Sequence, residues 1–443
     1  MRVFSCLRTI GWCVVAAHLL PLISNHHTLM HISVIRSILL VSLLTATAKA
    51  EPVSLSSLSA KAVATNPEVR FYEAEIAVAK GGEQTAATRA NPELQTSLGT
   101  WRVNDMGSKS DGPAWAVTLS QTIEWPGRIA LRKALALKQT EVAQLGLDQF
   151  KASLSAKVRA AGWKLIAANQ RASAAEEVTK RLNELAGVLL QRDPTGPAPR
   201  LEARIIQATA LTLGTEVTTA RREAAEAKFA LNQLLGEKPD HEIEIKQEPL
   251  TLAPPPSLEK LLAGARQKNF DLRARMLDVE QQGFTVKLAQ NERWPAFTVA
   301  PYAQGQKAGD SREHQFGIGV SIPLPLWNKN KGAIDTAKAR QSQAEIMLAA
   351  QMRELERSVA AQSSAYVSYA DELAKWPADT IESFQKAAAE ADEHYRLGAL
   401  PLSTYTELQK QYVEAVNSVL ASQLGALQAR LELEQLTGSK LND

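Results

Sequence analysis

The chain of 443 residues contains one layout twice, and this duplication constrains its fold more than any other feature. Pro92 recurs 203 positions later as Pro295, and Asn232–Gly236 recurs 202 positions later as Glu434–Gly438. Self-similarity at a fixed spacing indicates a repeated structural unit. The sequence therefore predicts two similar repeats, at residues 51–236 and 257–438, with a linker at 237–256 and a tail at 439–443. The other recurring positions are Leu55, Leu58, Ala60, Ala62 and Asn66, which return as Leu258, Leu261, Ala263, Ala265 and Asn269.

Each repeat begins with a helical segment and continues into strands. Segments of helical periodicity, Ser54–Thr88 and Ser257–Glu292, stop just before a proline, because the residue before proline disfavours helical geometry. The pattern then changes to the alternating, aromatic or β-branched residues that are typical of strands. One β-hairpin is therefore predicted in each repeat, with loops at Asn104–Gly112 and Gly305–Glu313. The predicted strands are Leu94–Val103, Trp115–Ile123, Phe297–Ala303 and Phe316–Ile322.

A long helical hairpin is predicted after each pair of strands. A proline-bounded turn, at Trp125–Gly127 or Pro323–Trp327, leads into about 65 residues with apolar positions three or four apart and many alanines. This spacing suits coiled-coil packing, and a continuous helix of that length measures about 100 Å. A turn, at 193–199 or 397–401, then leads into a return helix.

The first 50 residues contain apolar runs and no acidic residue, which indicates export. From Met30 onward they follow the secretory pattern of a basic residue, Arg36, an apolar core, Ile38–Leu44, and a small-x-small end, Ala48–Ala50. The core is shorter than the roughly 20 residues of a membrane anchor. We expect a signal peptide at residues 1–50, with Met30 as a second possible start of translation.

Composition argues against several classes of function. Residues 1–50 carry four of the 50 basic and none of the 47 acidic residues, so the remainder has a formal charge of −1 and no indicated nucleic-acid surface. Both cysteines, Cys6 and Cys13, fall in the predicted signal peptide, and no cysteine stands at its end to accept a lipid. Widely spaced His241, His314 and His394 favour no metal site. No catalytic motif is present, so we expect neither cofactor nor enzyme activity.

The predicted strands have the features of membrane strands. About ten residues per strand match a transmembrane β-strand. Open sheet edges are not tolerated in lipid and four strands cannot close a barrel, so several chains must share one, and a trimer supplies twelve strands. The alternative is that the aromatic residues fill a soluble core. Five of the eight tryptophans lie in or beside these strands, where interface aromatics are expected: Trp101, Trp115, Trp125, Trp294 and Trp327.

Four motifs follow one another along the chain: Ala90–Leu94, Leu119–Glu124 followed by Gly127-Arg128, Ile322–Asn328 before Gly332, and Tyr395–Ser403. Their order and spacing resemble those of the TolC-like outer-membrane efflux proteins, and the resemblance spans Glu51 to Gly438. Within that family the chain is most similar to the CzcC-type branch, which is linked to heavy-metal cation export. It departs from the commonest pattern at Pro401 and Tyr405 and in the compact first turn, Asp193–Pro199. The last of the four motifs, Tyr395–Ser403, is similar to the family's periplasmic tip.

The resemblance implies a fold and a location. The fold is mainly α with a membrane β part: duplicated long helical hairpins form an α-barrel, and two β-hairpins per chain contribute to a shared 12-stranded β-barrel in a homotrimer. The location is the bacterial outer membrane, in contact with its lipid, with the helices in the periplasm. A periplasmic adaptor and an inner-membrane pump would deliver cargo, which the channel conducts passively.

Two groups of residues are predicted to act at the periplasmic end. Glu202 and Glu407 match the offsets at which the family's acidic residues constrict the pore, and a ring of three carboxylates would attract cations. The tip glycines permit positive φ at a helix end and expose backbone to the adaptor. The predicted adaptor contacts are Gly196, Arg396, Leu397, Gly398, Leu402 and Ser403.

Two other readings of the sequence stay open. A soluble periplasmic adaptor or coiled-coil scaffold would have one helical hairpin between barrel-like segments, whereas this chain has two. A member of the same family could instead export organic compounds or proteins, since selectivity usually lies upstream of a wide exit duct.

Overall fold

The computed structural model describes residues 52–105, 108–192, 197–246, 253–377 and 379–441. The predicted signal peptide and the predicted tip residue Gly196 lie outside the described residues. Within the described ranges the chain forms nine α-helices and four β-strands. It is mainly helical with one antiparallel sheet, as the sequence predicts.

In the first half, two helices precede the strands and two long helices follow them. The elements are α1 Leu55–Thr65, α2 Pro67–Ala87, β1 Glu93–Asp105, β2 Ser108–Ile123, α3 Arg128–Arg192 and α4 Pro197–Leu235.

The second half has the same order of elements, except that the long helix after its strands is divided into two. Its elements are α5 Leu258–Lys268, α6 Phe270–Asn291, β3 Phe297–Ala308, β4 Ser311–Ser321, α7 Lys331–Ala374, α8 Thr380–Arg396 and α9 Leu402–Thr437.

Equivalent asparagines end the first helix of each half. Asn66 Oδ1 accepts a hydrogen bond from the Glu68 amide at 2.8 Å, and its Nδ2 donates to the Leu234 carbonyl at 2.9 Å. Asn269 likewise accepts from the Leu272 amide at 2.8 Å and donates to the Leu436 carbonyl at 3.0 Å. Each asparagine therefore caps the next helix and holds the end of the return helix. This is why one predicted helical segment becomes two helices.

The prediction of an uninterrupted long helix is right for α3 and wrong for the second half. There, α7 ends at Ala374 and α8 begins at Thr380. Pro377 lies between them, and proline removes a backbone donor and clashes with the preceding turn. The Thr380 amide and hydroxyl both donate to the Pro377 carbonyl, at 3.1 and 2.6 Å, which starts the new helix.

The four strands form one sheet in the order β1-β2-β3-β4, with all pairs antiparallel. The strands run further than predicted, because the segments assigned to loops continue the ladder. Arg102 pairs with Asp111 across β1 and β2, and Gln306 pairs with Glu313 across β3 and β4. Ion pairing and hydrogen bonding of these side chains, at 2.8 and 2.7 Å, extend each hairpin beyond its apolar part.

The helices of the two halves pack along α3. One buried cluster joins α3 and α4 to α8 and α9, and includes Leu182, Ile206 and Val416. The carboxylate of Glu434 in α9 receives hydrogen bonds from Arg159 in α3, at 2.7 Å, and from Arg430. Apolar burial and this partly buried ion pair hold the halves together.

The inter-half segment adds little regular structure. It forms a single parallel bridge between Ile245 and Val53, in which the Val53 amide donates to the Glu244 carbonyl at 2.9 Å. Among the described residues, no helix combines the length and apolar character needed to cross a membrane.

Candidate functional site

One face of the sheet is apolar and uncovered. Strand geometry alternates side chains between faces, and the ladder keeps a constant register across all four strands. Phe316 is 76% exposed, Ile318 72% and Leu98 88%. Exposed apolar surface of this extent marks contact with a membrane or partner. The side chains of this apolar face are Leu94, Leu98, Trp115, Val117, Leu119, Ile123, Phe297, Val299, Pro301, Ala303, Phe316, Ile318 and Val320.

The opposite face of the sheet is polar or small. Gln304 Nε2 donates to Gln315 Oε1 at 2.6 Å, and Gln315 Nε2 donates to the Tyr302 hydroxyl at 3.1 Å. Gly317 lies beneath the Tyr302 ring, where a Cβ would meet the hydroxyl oxygen at 2.6 Å. An apolar-out, polar-in alternation is the pattern of membrane strands that line an aqueous lumen.

The sheet is open at both edges. β1 and β4 each pair with one neighbour, so their outer edges carry backbone N–H and C=O groups without a strand partner. In hydrocarbon each such group costs several kcal/mol. A single chain therefore cannot place this sheet in lipid without further strands.

The predicted interface tryptophans occupy three kinds of position. Trp125 and Trp294 stack at 5.2 Å where the sheet meets the helices, and Trp327 there is 94% exposed. Trp115 lies on the apolar face, eight residues and about 27 Å along β2 from Ile123. This distance is close to the roughly 25 Å apolar band of outer-membrane barrels. Trp101 lies on the polar face by register, opposite to Trp115, and its place at the lipid interface stays a prediction.

The junction between sheet and helices links the two halves. Gly127 has a φ of 87°, which turns the chain from β2 into α3. Arg128 then donates to the Trp294 carbonyl at 2.6 Å and to Asn291 Oδ1 at 3.2 Å. Asn291 Nδ2 returns a hydrogen bond to the Pro126 carbonyl at 2.9 Å. The Gly127-Arg128 motif thus fixes the angle between strands and helices.

At the far end of the helices, Gly398 forms the turn between α8 and α9. Its φ is 75°, its amide donates to the Tyr395 carbonyl at 3.0 Å, and the Ala399 amide donates to the His394 carbonyl at 2.9 Å. These two bonds are a Schellman motif, which satisfies the last carbonyls of a helix. Leu397 beside it is 73% exposed. Arg396 Nε donates to Asp392 Oδ2 at 2.8 Å, so this cation is paired within α8.

Two tyrosines tie the tip together. Tyr395 and Tyr405 stack at 4.9 Å between ring centroids. The Tyr395 hydroxyl donates to Glu202 Oε2 in α4 at 3.2 Å, and the Tyr405 hydroxyl donates to Asp392 Oδ1 at 3.0 Å. Burial, then the charge of Glu202 and this hydrogen bond, raises the pKa of Tyr395 from 10.0 to about 12. Burial and Asp392 also raise the pKa of Tyr405.

The remaining predicted tip residues lie near this cluster. Glu407 is exposed on α9 and accepts a hydrogen bond from Gln411 at 2.8 Å. Leu402 is partly buried against the tip core, and Ser403 is exposed one residue later. The structure brings Glu202 close to the α8–α9 turn through Tyr395, and it leaves Glu407 outside that hydrogen-bond network.

The sequence did not predict the buried polar residues that hold α9 against α8 at this end of the helices. Tyr405 is fully buried, and Gln409 in the same helix donates to the Ala388 carbonyl at 2.6 Å. The Tyr405 hydroxyl and Gln409 Nε2 each donate a hydrogen bond to a group in α8, and these two bonds specify one packing of α9 against α8. Their four-residue spacing, which places both on one face of α9, is the signal that could have identified them.

No group of three or more His, Asp or Glu side chains among the described residues comes together to hold a metal ion. The carboxylates at the tip are engaged instead by tyrosine, arginine and glutamine donors.

Comparison with known proteins agrees with this arrangement. Residues 261–439, which run from α5 to the end of α9, match the sequence model described as outer membrane efflux protein. This second half of the chain is similar to the outer membrane efflux protein family. The exposed apolar face and the open edges of the sheet agree with a location in the outer membrane.

The chain is also similar to individual proteins of known name or structure. The cobalt-zinc-cadmium resistance protein CzcC of Cupriavidus metallidurans is 23% identical over 299 residues, which are 67% of this chain and 68% of that protein. The pyoverdine export outer membrane protein OpmQ of Pseudomonas aeruginosa is 21% identical over 408 residues, 87% and 85% of the two chains. The crystal structure of the Campylobacter jejuni CmeC outer membrane channel superposes with a TM-score of 0.70 at 14% identity, covering 88% of this chain and 87% of that one.

Proposed function

We propose that three copies of this chain form a continuous exit duct across the outer membrane. The observation that carries the proposal is the sheet, which has an exposed apolar face, a polar opposite face and two open edges. Three four-stranded sheets joined edge to edge supply twelve strands and leave no edge in lipid. The repeats proposed at residues 51–236 and 257–438 each supply one strand pair and one helical hairpin to the tube.

The partners of the duct are proposed to be a periplasmic adaptor and an inner-membrane pump. The α8–α9 turn supports this assignment, because it presents exposed Leu397 and the exposed backbone of Gly398 at the end away from the sheet. Leu402, Ser403 and Arg396 flank this turn. Gly196 is proposed to have the same role at the α3–α4 turn.

Divalent heavy-metal cations are the proposed cargo. The support is the 23% identity with the cobalt-zinc-cadmium resistance protein CzcC. The likeness to the pyoverdine export protein OpmQ, which extends over 87% of this chain, favours a second candidate cargo, an organic compound. We infer that the chain itself catalyses no reaction, since a duct needs only to conduct what its pump delivers.

The pore constriction is proposed to lie at the tip, with Glu202 and Glu407 as its acidic residues. Glu202 would couple α4 to the α8–α9 turn through Tyr395. Glu407, which is exposed, would contribute one carboxylate per chain to a cation-attracting ring.

Deletion of the gene in its host, followed by complementation, tests the cargo. We expect the deletion strain to accumulate zinc, cobalt or cadmium and to lose tolerance of their salts, and the complemented strain to recover both. Unchanged metal tolerance with impaired secretion of an organic compound would replace the cation proposal with the organic one. A truncated chain without residues 89–127, which lacks β1 and β2, is the control for loss of the duct itself.

A further inference from the structure

The charged residues of the strands are distributed unequally between the two faces of the sheet. On the apolar face they lie only at the end away from the helices, beyond the row formed by Trp115, Gly305 and His314. Four of the five are basic: Arg102, Lys109, Lys307 and Arg312, with Asp111 as the acid. On the polar face the charged residues of the strands are acidic instead: Glu93, Asp105 and Glu313.

Two of these cations face each other without a counter-charge. Lys307 and Arg312 are direct cross-strand partners, and like charges placed opposite each other destabilise a strand pair. Within the described part of the chain, neither side chain has an ion-pair or hydrogen-bond partner. Asp111 is already bound by Arg102, whose Nε and Nη2 contact its two oxygens at 2.8 and 2.9 Å. The described fold therefore supplies no anion to pair with Lys307 and Arg312.

The position of Lys307 and Arg312 along the membrane normal indicates which anion can pair with them. The apolar band from Ile123 to Trp115 occupies the hydrocarbon, so the end away from the helices lies at the outer leaflet. Lys307 and Arg312 lie two residues, or about 7 Å along the strands, beyond the Trp115 row. Headgroup layers are about 5–7 Å thick on each side of the hydrocarbon. Phosphate groups of lipids are the anions at this depth.

We propose that the outward basic cluster, Arg102, Lys109, Lys307 and Arg312, binds the phosphate groups of outer-leaflet lipids. Each chain contributes a net charge of +3 from this cluster and Asp111, and the proposed trimer repeats it around its circumference. Arginine and lysine at the membrane surface favour anionic headgroups through direct pairing with phosphate. The cluster anchors the duct at a fixed height and relieves the repulsion between Lys307 and Arg312.

Lipid binding by the purified full-length protein in mild detergent tests this proposal. The probes are lipid A with two phosphates, the same lipid after dephosphorylation, and sodium phosphate at equal phosphate concentration, measured by native mass spectrometry and thermal unfolding. We expect only phosphorylated lipid A to bind and to raise the unfolding temperature. The combined substitutions Lys307→Gln and Arg312→Gln should weaken its binding by roughly five-fold for each cation removed.

The matched control removes two exposed cations from α6, by Arg273→Gln and Arg275→Gln, and should bind as the wild type does. Lys307→Arg should also retain binding, and an unheated gel checks that every variant keeps its oligomer. Equal binding of dephosphorylated lipid, equal protection by sodium phosphate, or unchanged binding by the double variant would each overturn the proposal. The inference rests on the proposed exit duct, but metal tolerance of cells with the double variant tests that function separately.

Discussion

Gly398 is the residue on which the shape of the tip depends most directly. Its φ of 75° is costly for any residue with a Cβ, while no atom lies within 4 Å of where a Cβ would stand. Gly398→Ala should therefore lower stability by about 1 kcal/mol through backbone strain alone. Gly187→Ala is the control, since that helical position is equally open and lacks positive φ, and it should stabilise α3 by about 0.5–1 kcal/mol. Thermal unfolding in detergent measures both, and equal shifts would contradict the strain argument.

Tyr395 makes the tip sensitive to alkaline pH. Its pKa in the folded chain is about 12 against 10.0 for a free tyrosine. The unfolded state releases this proton first, so the stabilisation is fully present below pH 10 and is lost between about pH 10 and pH 12. Hydrogen exchange across residues 392–412 should therefore accelerate in that window, and less so in Tyr395→Phe. An identical pH profile for the two proteins would refute the assignment.

Residue-scale contacts of this kind were not predictable from the sequence. Tyr395 and Glu202 are 193 positions apart, and only the packing of α4 beside the α8–α9 turn brings them together. By contrast, Gly398 was predicted because its turn chemistry is local. The Lys307–Arg312 pair was missed because the register of β3 and β4 was unknown.

At the scale of elements, the apolar sheet face should tolerate no charge at mid-depth. Ile318→Lys places a cation in hydrocarbon and should cost about 2–4 kcal/mol per chain. Ser97→Lys, on the polar face, should cost far less because water fills the lumen. Urea titration of protein folded into lipid vesicles measures the difference. Equal costs would mean that Ile318 does not face lipid.

The sequence predicted which elements form better than it predicted where they end. Long α3 was predicted correctly because apolar periodicity persists over 65 residues without a proline. The second long helix was predicted to continue through Pro377. Proline disrupts the interior of a helix, and the helix is interrupted there. The hairpins were predicted too short, because the polar pairs Arg102–Asp111 and Gln306–Glu313 resemble loop sequence until the ladder is known.

At the scale of the whole molecule, an acidic ring at the tip should control ion flow. Glu407→Ala removes one carboxylate per chain and should raise single-channel conductance while lowering cation selectivity in planar bilayers. Glu414→Ala is the control, since Glu414 is exposed two turns further along α9. Unchanged conductance and selectivity in Glu407→Ala would remove this residue from the constriction.

The mass of the protein extracted from outer membranes in mild detergent tests the shared barrel most directly. Light scattering gives the number of chains, and a gel of heated and unheated samples shows whether they stay together. The two open edges of the sheet predict three chains per particle, stable until heated. A monomer in the soluble periplasmic fraction would contradict the account, because a single open sheet cannot lie in lipid.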